Sequence, residues 1–199
     1  TLFRSLLSWK GLGYNRRGVN IKRCAEEIVR SGGKFPKDYK ALLALPGIGQ
    51  STAGALMNFS FGIPTAFIET NIRSVYLHFF FKNKVGVSDK ETMTVIAKTM
   101  DTENPREWFY ALYDYGVFIK KTIGNQNVRS KHYKKQSAFK GSNRELRAKI
   151  LFYLVEHKKG TFKQIVKHLK ENESLIEANL EAFIKEGTLI KKGKTFMIR

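Results

Sequence analysis

Cysteine is almost absent from this chain: Cys24 is the only one among 199 residues. That excludes an internal disulfide framework, a Cys-rich zinc site and a four-cysteine iron–sulfur cluster. Long apolar runs are missing too. The longest candidate, near residues 53–61, is broken by Asn58 and Ser60 and falls short of the about 18–20 residues that a spanning helix needs. The first residues lack the pattern of a secretory signal. The four histidines are scattered, with no spacing suited to zinc. Acids are scarce, 17 Asp and Glu against 36 Lys and Arg. The absences together predict a reduced, intracellular, soluble protein of the cytoplasm or nucleoid (the nucleus in a eukaryote), with no metal and no membrane partner.

What is present is a core and a large positive charge. Hydrophobic residues make up 42% of the chain, enough to bury a core, and the length fits one full domain or two small ones. The formal charge is +19. Such an excess costs self-repulsion in the compact state and attracts polyanions. Without a helix that is both basic and strongly amphipathic, nucleic acid is favoured over an anionic membrane. The plain alternative is a lysine-rich background with no specific partner.

Periodicity predicts helices for most of the chain. Leu2, Phe3, Leu6 and Leu7 repeat at helical spacing from the first residues, so the first domain reads as N-terminally incomplete. After a loop at 11–13, a helix is expected over 17–31 with Ile21, Ala25 and Ile28 on its apolar face, stopped by Gly32-Gly33. Short helices over 38–45 and 51–59 flank a hairpin at Pro46-Gly47-Ile48-Gly49. Gly62 and Pro64 force an extended stretch over 63–68, and helices follow over 70–81, 90–100 and 105–121. Between 120 and 149, ten Lys and Arg face a single acid, Glu145, which reads as a basic linker over 124–142. Beyond it come a helix over 143–156, the capping-box patterns Thr161-x-x-Gln164 and Ser174-x-x-Glu177, and strands over 188–191 and 195–198. Three helices and a hairpin in this order resemble a winged helix–turn–helix. The expected architecture is mainly α: a domain over 1–123, the linker 124–142 and a winged-helix-like domain over 143–199.

Leu45-Pro46-Gly47-Ile48-Gly49 carries the clearest chemistry. Two short helices joined by a glycine turn expose successive backbone amides at the start of the second helix, and such donors suit one DNA phosphate irrespective of sequence. Leu45, Gly47, Ile48, Gly49, Gln50, Ser51 and Thr52 are the expected contacts, against the alternative of an ordinary αα-corner. In the basic segment, Lys131, Lys134 and Lys135 interleave with His132, Tyr133 and Phe139, a composition suited to phosphate contact and base stacking, or simply to a solvated linker. The helix over 174–185 is acidic, which argues against its reading a DNA groove, whereas Lys191, Lys192, Lys194 and Arg199 make the hairpin basic.

Trp9-Lys10-Gly11-Leu12-Gly13-Tyr14, Gly33-Lys34-Phe35-Pro36, Leu45–Ala55 (LPGIGQSTAGA), Phe61-Gly62-Ile63-Pro64, Ile68-Glu69-Thr70-Asn71-Ile72-Arg73-Ser74-Val75 and Tyr113-Asp114-Tyr115-Gly116 follow in order. Together they resemble the helix–hairpin–helix DNA glycosylase superfamily, nearest its adenine glycosylase (MutY-like) branch and related to endonuclease III. The resemblance covers about residues 2–123. It implies a flipped base on lesion-bearing or mismatched double-stranded DNA, hydrolysis of its N-glycosidic bond in base-excision repair, and Tyr14 among the DNA contacts. Glu69 stands where the family places a catalytic aspartate; it would stabilise positive charge on the sugar, or else merely cap its helix with Thr70. An extra methylene moves the carboxylate by about a bond length, and errors of ~1 Å can cost ~100-fold in rate. Ser51 stands in the slot of the Schiff-base lysine of bifunctional members and cannot form an imine, which implies a monofunctional glycosylase. The family's cluster cysteines have no counterpart, so no cofactor is expected, with room for a monovalent cation at the hairpin; the earlier helices that carry its general-acid glutamate and glutamine-rich wedge are not in this sequence, being either upstream of Thr1 or lost. Two alternatives stand beside the enzyme: a catalytically inactive DNA-binding relative acting as lesion sensor or scaffold, and a transcription regulator built on the tail. Neither the excised base nor any protein partner can be read from the sequence.

Overall fold

Side chains at the helix ends dictate where this chain folds into helices. In the computed structural model, which describes residues 1–9 and 12–199, Asp38 accepts from the Ala41 amide at 2.9 Å to open α3 (Tyr39–Ala44). Ser88 and Glu91 form a reciprocal capping box at the start of α6 (Asp89–Thr99). Pro105 occupies the first turn of α7 (Pro105–Thr122), where no amide donor is needed. Between these lie α4 (Gln50–Phe61) and α5 (Thr70–Phe80). Lys10 and Gly11, placed by the sequence in the first motif and its loop, lie outside the described residues.

The chain divides into two compact units: a central unit, Lys34–Lys135, and a split unit made of Thr1–Gly33 with Gln136–Arg199. This differs from the expected boundaries at 123 and 142. In the split unit, Leu6 of α1 (Leu2–Ser8) and Val19 of α2 (Arg16–Arg30) belong to one core with Leu146, Ile150 and Leu154 of α8 (Asn143–His157). The buried face of α2 is Gly18 and Val19; Ile21 and Ala25, expected to be buried, are exposed. α9 (Phe162–Leu169) opens on the expected Thr161/Gln164 capping box. α10 (Glu173–Lys185) is capped two residues earlier than expected: Asn172 rather than Ser174 is the N-cap, its side chain accepting from the Leu175 amide at 3.1 Å. The expected hairpin, β2 (Leu189–Lys192) and β3 (Thr195–Ile198), gains a third strand, β1 (Lys159–Thr161), giving the antiparallel order β1-β3-β2. Three residues around Gly160 are too short to show alternation in sequence.

The core of the central unit is aromatic and aliphatic: Phe67, Ile72, Tyr76, Ile96, Phe109 and Ile119 are all buried. Two glycines permit it. A Cβ on Gly54 would lie 2.3 Å from the Cβ of Phe67, and one on Gly116 would lie 2.4 Å from the Asn71 carbonyl oxygen. The first lets α4 lie against the stretch over 63–68; the second lets α7 lie against the first turn of α5. That extended stretch has no regular partner strand. Its backbone is held by Asn58, a fully buried side chain whose Nδ2 donates to the Gly54 and Thr65 carbonyls, both at 2.7 Å, while Oδ1 accepts from the Thr65 amide at 3.2 Å. Among the described residues, no helix is long and apolar enough to cross a membrane.

Asn58→Ala therefore leaves buried peptide groups without partners. It is expected to lower the urea unfolding free energy by about 1–3 kcal/mol, and an unchanged unfolding midpoint would show that the staple contributes nothing.

Candidate nucleic-acid interface and carboxylate site

The hairpin takes its shape from its glycines and from what its second helix lacks. Leu45 is extended at the end of α3, and Gly47 follows at φ 80°, a left-handed conformation that disfavours any side chain. The Ile48 amide is used locally, donating to the Leu45 carbonyl at 3.2 Å. Gly49 then caps α4 with no side-chain acceptor to offer. Ala53 donates to the Gly49 carbonyl at 2.8 Å, so the amides of Gln50, Ser51 and Thr52 before it fall in the turn where a helix leaves its donors unpaired. Gly49, Gln50, Ser51 and Thr52 are all exposed. Leu45, expected among the contacts, is buried, so its side chain anchors the turn to the core and only its backbone is at the hairpin. Positive dipole and free amides in one exposed turn can receive an oxyanion.

Glu69 lies at the other end of the stretch that Asn58 holds. It caps α5 with its own carboxylate: Oε1 accepts from the Asn71 amide and, at 2.8 Å, from the Ile72 amide, while Oε2 accepts from the Thr70 hydroxyl at 3.0 Å. The capping role anticipated for this residue is present, with the side chain half-buried rather than enclosed. Tyr113 of α7 is close enough to feel that charge. Burial, and then the Glu69 carboxylate, push the Tyr113 phenol up to about 12. Close by, Gly116, three positions from Tyr113, meets the backbone of Asn71, two positions from Glu69.

Part of the basic segment expected as a linker over 124–142 is packed against the central unit. Residues 124–135 belong to the central unit. A 3-10 turn, Gln126–Arg129, brings the Arg129 guanidinium onto the carbonyls of Leu77, Phe81 and Lys82 at the C-terminal end of α5. One of the ten basic residues is thus a helix cap rather than a phosphate contact, a role with no periodic signal in sequence. Gly86 and Val87 donate to the Arg129 carbonyl, and Lys131 donates to the Val87 carbonyl at 2.9 Å. Lys131, Lys134 and Lys135 remain exposed on this anchored segment. The central unit thus contains every predicted site residue except Tyr14. Tyr14 belongs to the split unit, exposed, with Arg17 lying 5.2 Å over its ring. Arg73, not singled out by sequence, is paired two-pronged with Asp89, both contacts at 2.8 Å. Among the described residues no three His, Cys, Asp or Glu side chains converge as metal ligands.

Comparison with known proteins returns related names. The family described as "Helix-hairpin-helix motif" matches residues 30–59, spanning α3, the turn and most of α4. Over 116 residues the chain is 32% identical to "Adenine DNA glycosylase" of Buchnera aphidicola subsp. Baizongia pistaciae, covering 56% of this chain and 32% of that protein. It is 28% identical over 101 residues to "Endonuclease III" of Bacillus subtilis, 49% of this chain and 43% of that protein. To "Endonuclease III" of Escherichia coli K12 it is 42% identical over 60 residues, 30% of this chain and 28% of that protein. The chain thus spans less than half the length of each.

The carboxylate–phenol pair can be measured directly. A phenol whose pKa rises from 10.0 to about 12 on folding favours the folded state below the lower value, and that contribution is lost as pH climbs through the higher one. The difference in ultraviolet titration between the unsubstituted protein and Tyr113→Phe should isolate one phenol ionising near pH 12. Glu69→Gln should bring that midpoint down. A midpoint indifferent to Glu69 would place the two groups apart.

Proposed function

We propose, for a chain that its motif and relatives place in the helix–hairpin–helix DNA glycosylase superfamily, a monofunctional DNA N-glycosylase of base-excision repair, with adenine-type excision favoured. The observation that carries the reading is the position of Glu69: half-buried at the start of α5 and joined through the Asn58-held stretch to the helix whose exposed first turn follows Gly47 and Gly49. In this reading the amides of Gly49, Gln50, Ser51 and Thr52 take one phosphate of lesion-bearing or mismatched duplex DNA. The target nucleotide turns out of the stack toward Glu69.

The chemistry asked of the protein is modest. As the N-glycosidic bond breaks, its electron pair leaves with the base and positive charge gathers on the deoxyribose. A fixed carboxylate across the sugar lowers the energy of that charge, and water then bonds to the anomeric carbon, its proton balancing the negative charge carried off by the base. Oε1 is held by two backbone amides, so the group need not reorganise during the reaction. Ser51 has no amine with which to form an imine, which supports hydrolysis without strand cleavage. The C-terminal helices and sheet serve as a winged-helix-like appendage with a basic hairpin, and the acids flanking its acidic helix are paired within the unit: Arg147 with Glu186 at 2.7 Å and Lys149 with Glu171 at 2.8 Å. The helix itself leaves Glu173, Glu177 and Glu181 exposed, a negative face that weighs against a transcription regulator reading DNA with it.

One observation favours a second reading, a DNA-binding relative without excision activity: both oxygens of Glu69 already serve its own helix. Single-turnover assays on duplexes carrying adenine opposite oxidised guanine, thymine or uracil opposite guanine, and hypoxanthine separate the two. The enzyme reading expects base release, slowed about 100–1,000-fold by Glu69→Gln, with strand breaks only after alkali. Tight binding to these duplexes with no release on any of them establishes the sensor or scaffold instead.

A further inference from the structure

The charge of the central unit is not spread evenly; part of it is gathered around a recess that the hairpin and Glu69 do not account for. This recess, about 340 Å³, opens where the N-terminal end of α5 meets the last turn of α7 and the anchored basic segment. Arg73, Lys120, His132 and Lys134 line it, together with the hydroxyl-bearing Thr70 and Ser130. Its charge is unbalanced. Arg73 is neutralised by Asp89, but among the described residues neither Lys120 nor Lys134 has an acidic partner. Two lysines without an acidic partner therefore line one small volume.

The walls are set without any ligand. Asn127 donates to the Thr70 carbonyl at 3.0 Å, tying the 3-10 turn to the α5 N-terminus, and its Oδ1 accepts from Arg73 at 3.5 Å. The Arg129 cap and the Val87–Ser130 bridge fix the far side. With its walls already held, the recess has only the two exposed lysine side chains to order when it takes an anion. Two lysines and the Ser130 hydroxyl around a volume of this size suit a tetrahedral oxyanion such as phosphate, while the Thr70 hydroxyl proton is already given to Glu69. The chain's net charge of +19 points to a polyanion as its source.

We infer that this recess is a second phosphate site, taking one backbone phosphodiester next to the nucleotide that faces Glu69. The inference rests on the glycosylase-type DNA reading above. Thr70 is the link, because it lines the recess while its hydroxyl donates to the Glu69 carboxylate. A phosphate seated there would fix the sugar on its 5′ or 3′ side relative to Oε2. The second site would thus position the substrate for the carboxylate, independently of the hairpin amides.

The test combines substitutions with neutralised phosphates. The intact chain and Lys120→Ala/Lys134→Ala are titrated with a fluorescent duplex carrying adenine opposite oxidised guanine, over a range of KCl. A phosphodiester site predicts weaker binding by the variant, with the slope of log K against log salt smaller by about 0.9 for one lost phosphate contact. A control pair of exposed lysines on α6, Lys90→Ala/Lys98→Ala, should leave the slope within half that change. A scan of single methylphosphonates should show one position near the lesion that weakens the intact protein and not the variant. The penalty at the hairpin phosphate should persist in both. Equal slopes for both lysine pairs, or no methylphosphonate penalty that depends on Lys120 and Lys134, overturn the proposal. So does inorganic phosphate protecting the intact chain alone from thermal unfolding at fixed ionic strength while DNA slopes coincide, which marks a free-phosphate site. Base release bears only on the enzyme reading, since the lysine-dependent phosphate penalty is read from binding.

Discussion

One contact without a side chain organises the carboxylate end of the central unit: Gly116 of α7 against the backbone of Asn71 in α5. Any Cβ at that point would meet the Asn71 carbonyl oxygen at 2.4 Å, so the two helices meet there backbone to backbone. The closeness brings Tyr113 within electrostatic reach of Glu69 and buries its phenol. The same turn of α5 carries Thr70 and Arg73, hence one wall of the cationic recess. A carboxylate, a high-pKa phenol and an anion-receptive recess thus share one helix start. Displacing that turn would disturb all three together.

The second constraint acts along the chain rather than across it. The stretch over 63–68 follows Gly62, contains Pro64 and forms no ladder, so its polar backbone needs another source of hydrogen bonds. Asn58 supplies it from inside α4 at the cost of a fully buried amide side chain. The cost is offset because each end of that amide is bonded. The exposed first turn of α4 and the carboxylate of Glu69 are therefore held by the same helix, one at its N-terminal end and the other through its buried Asn58.

Much of the local structure was legible because it is written in short-range chemistry. The helix over 70–81, the hairpin at Pro46–Gly49 and the Thr161/Gln164 capping box all follow from spacing, glycine and end-capping oxygens. Long-range pairing was not legible. Nothing in the periodicity of Leu2, Phe3 and Leu6 says that these residues pack against α8, 140 or so positions away, because an apolar stripe fits any complementary face. The strand at Lys159–Thr161 was missed because three residues cannot display a period of two. At the candidate site, the sequence marked Glu69 and the hairpin but not Asn58, Arg73 or the Arg129 cap. A buried amide, an ion pair and a guanidinium on helix carbonyls are defined by partners distant along the chain.

The basic residues show how charge is apportioned between folding and binding. Arginines of the segment over 120–149 are turned inward: Arg129 caps α5, Arg144 donates to the Ser137 carbonyl, and Arg147 pairs with Glu186 and lies 4.0 Å over the Phe183 ring. A planar guanidinium with several fixed donors suits such backbone and aromatic partners. Lys149 pairs with Glu145 and Glu171, but Lys131, Lys134, Lys135 and Lys140 are left outside, all exposed. Compact point charges on flexible stems gain little from a single internal acceptor and much from a phosphate chain that can meet several of them. Their mutual repulsion disfavours the compact state until an anion approaches, so binding a polyanion and stabilising the fold are the same event for this surface.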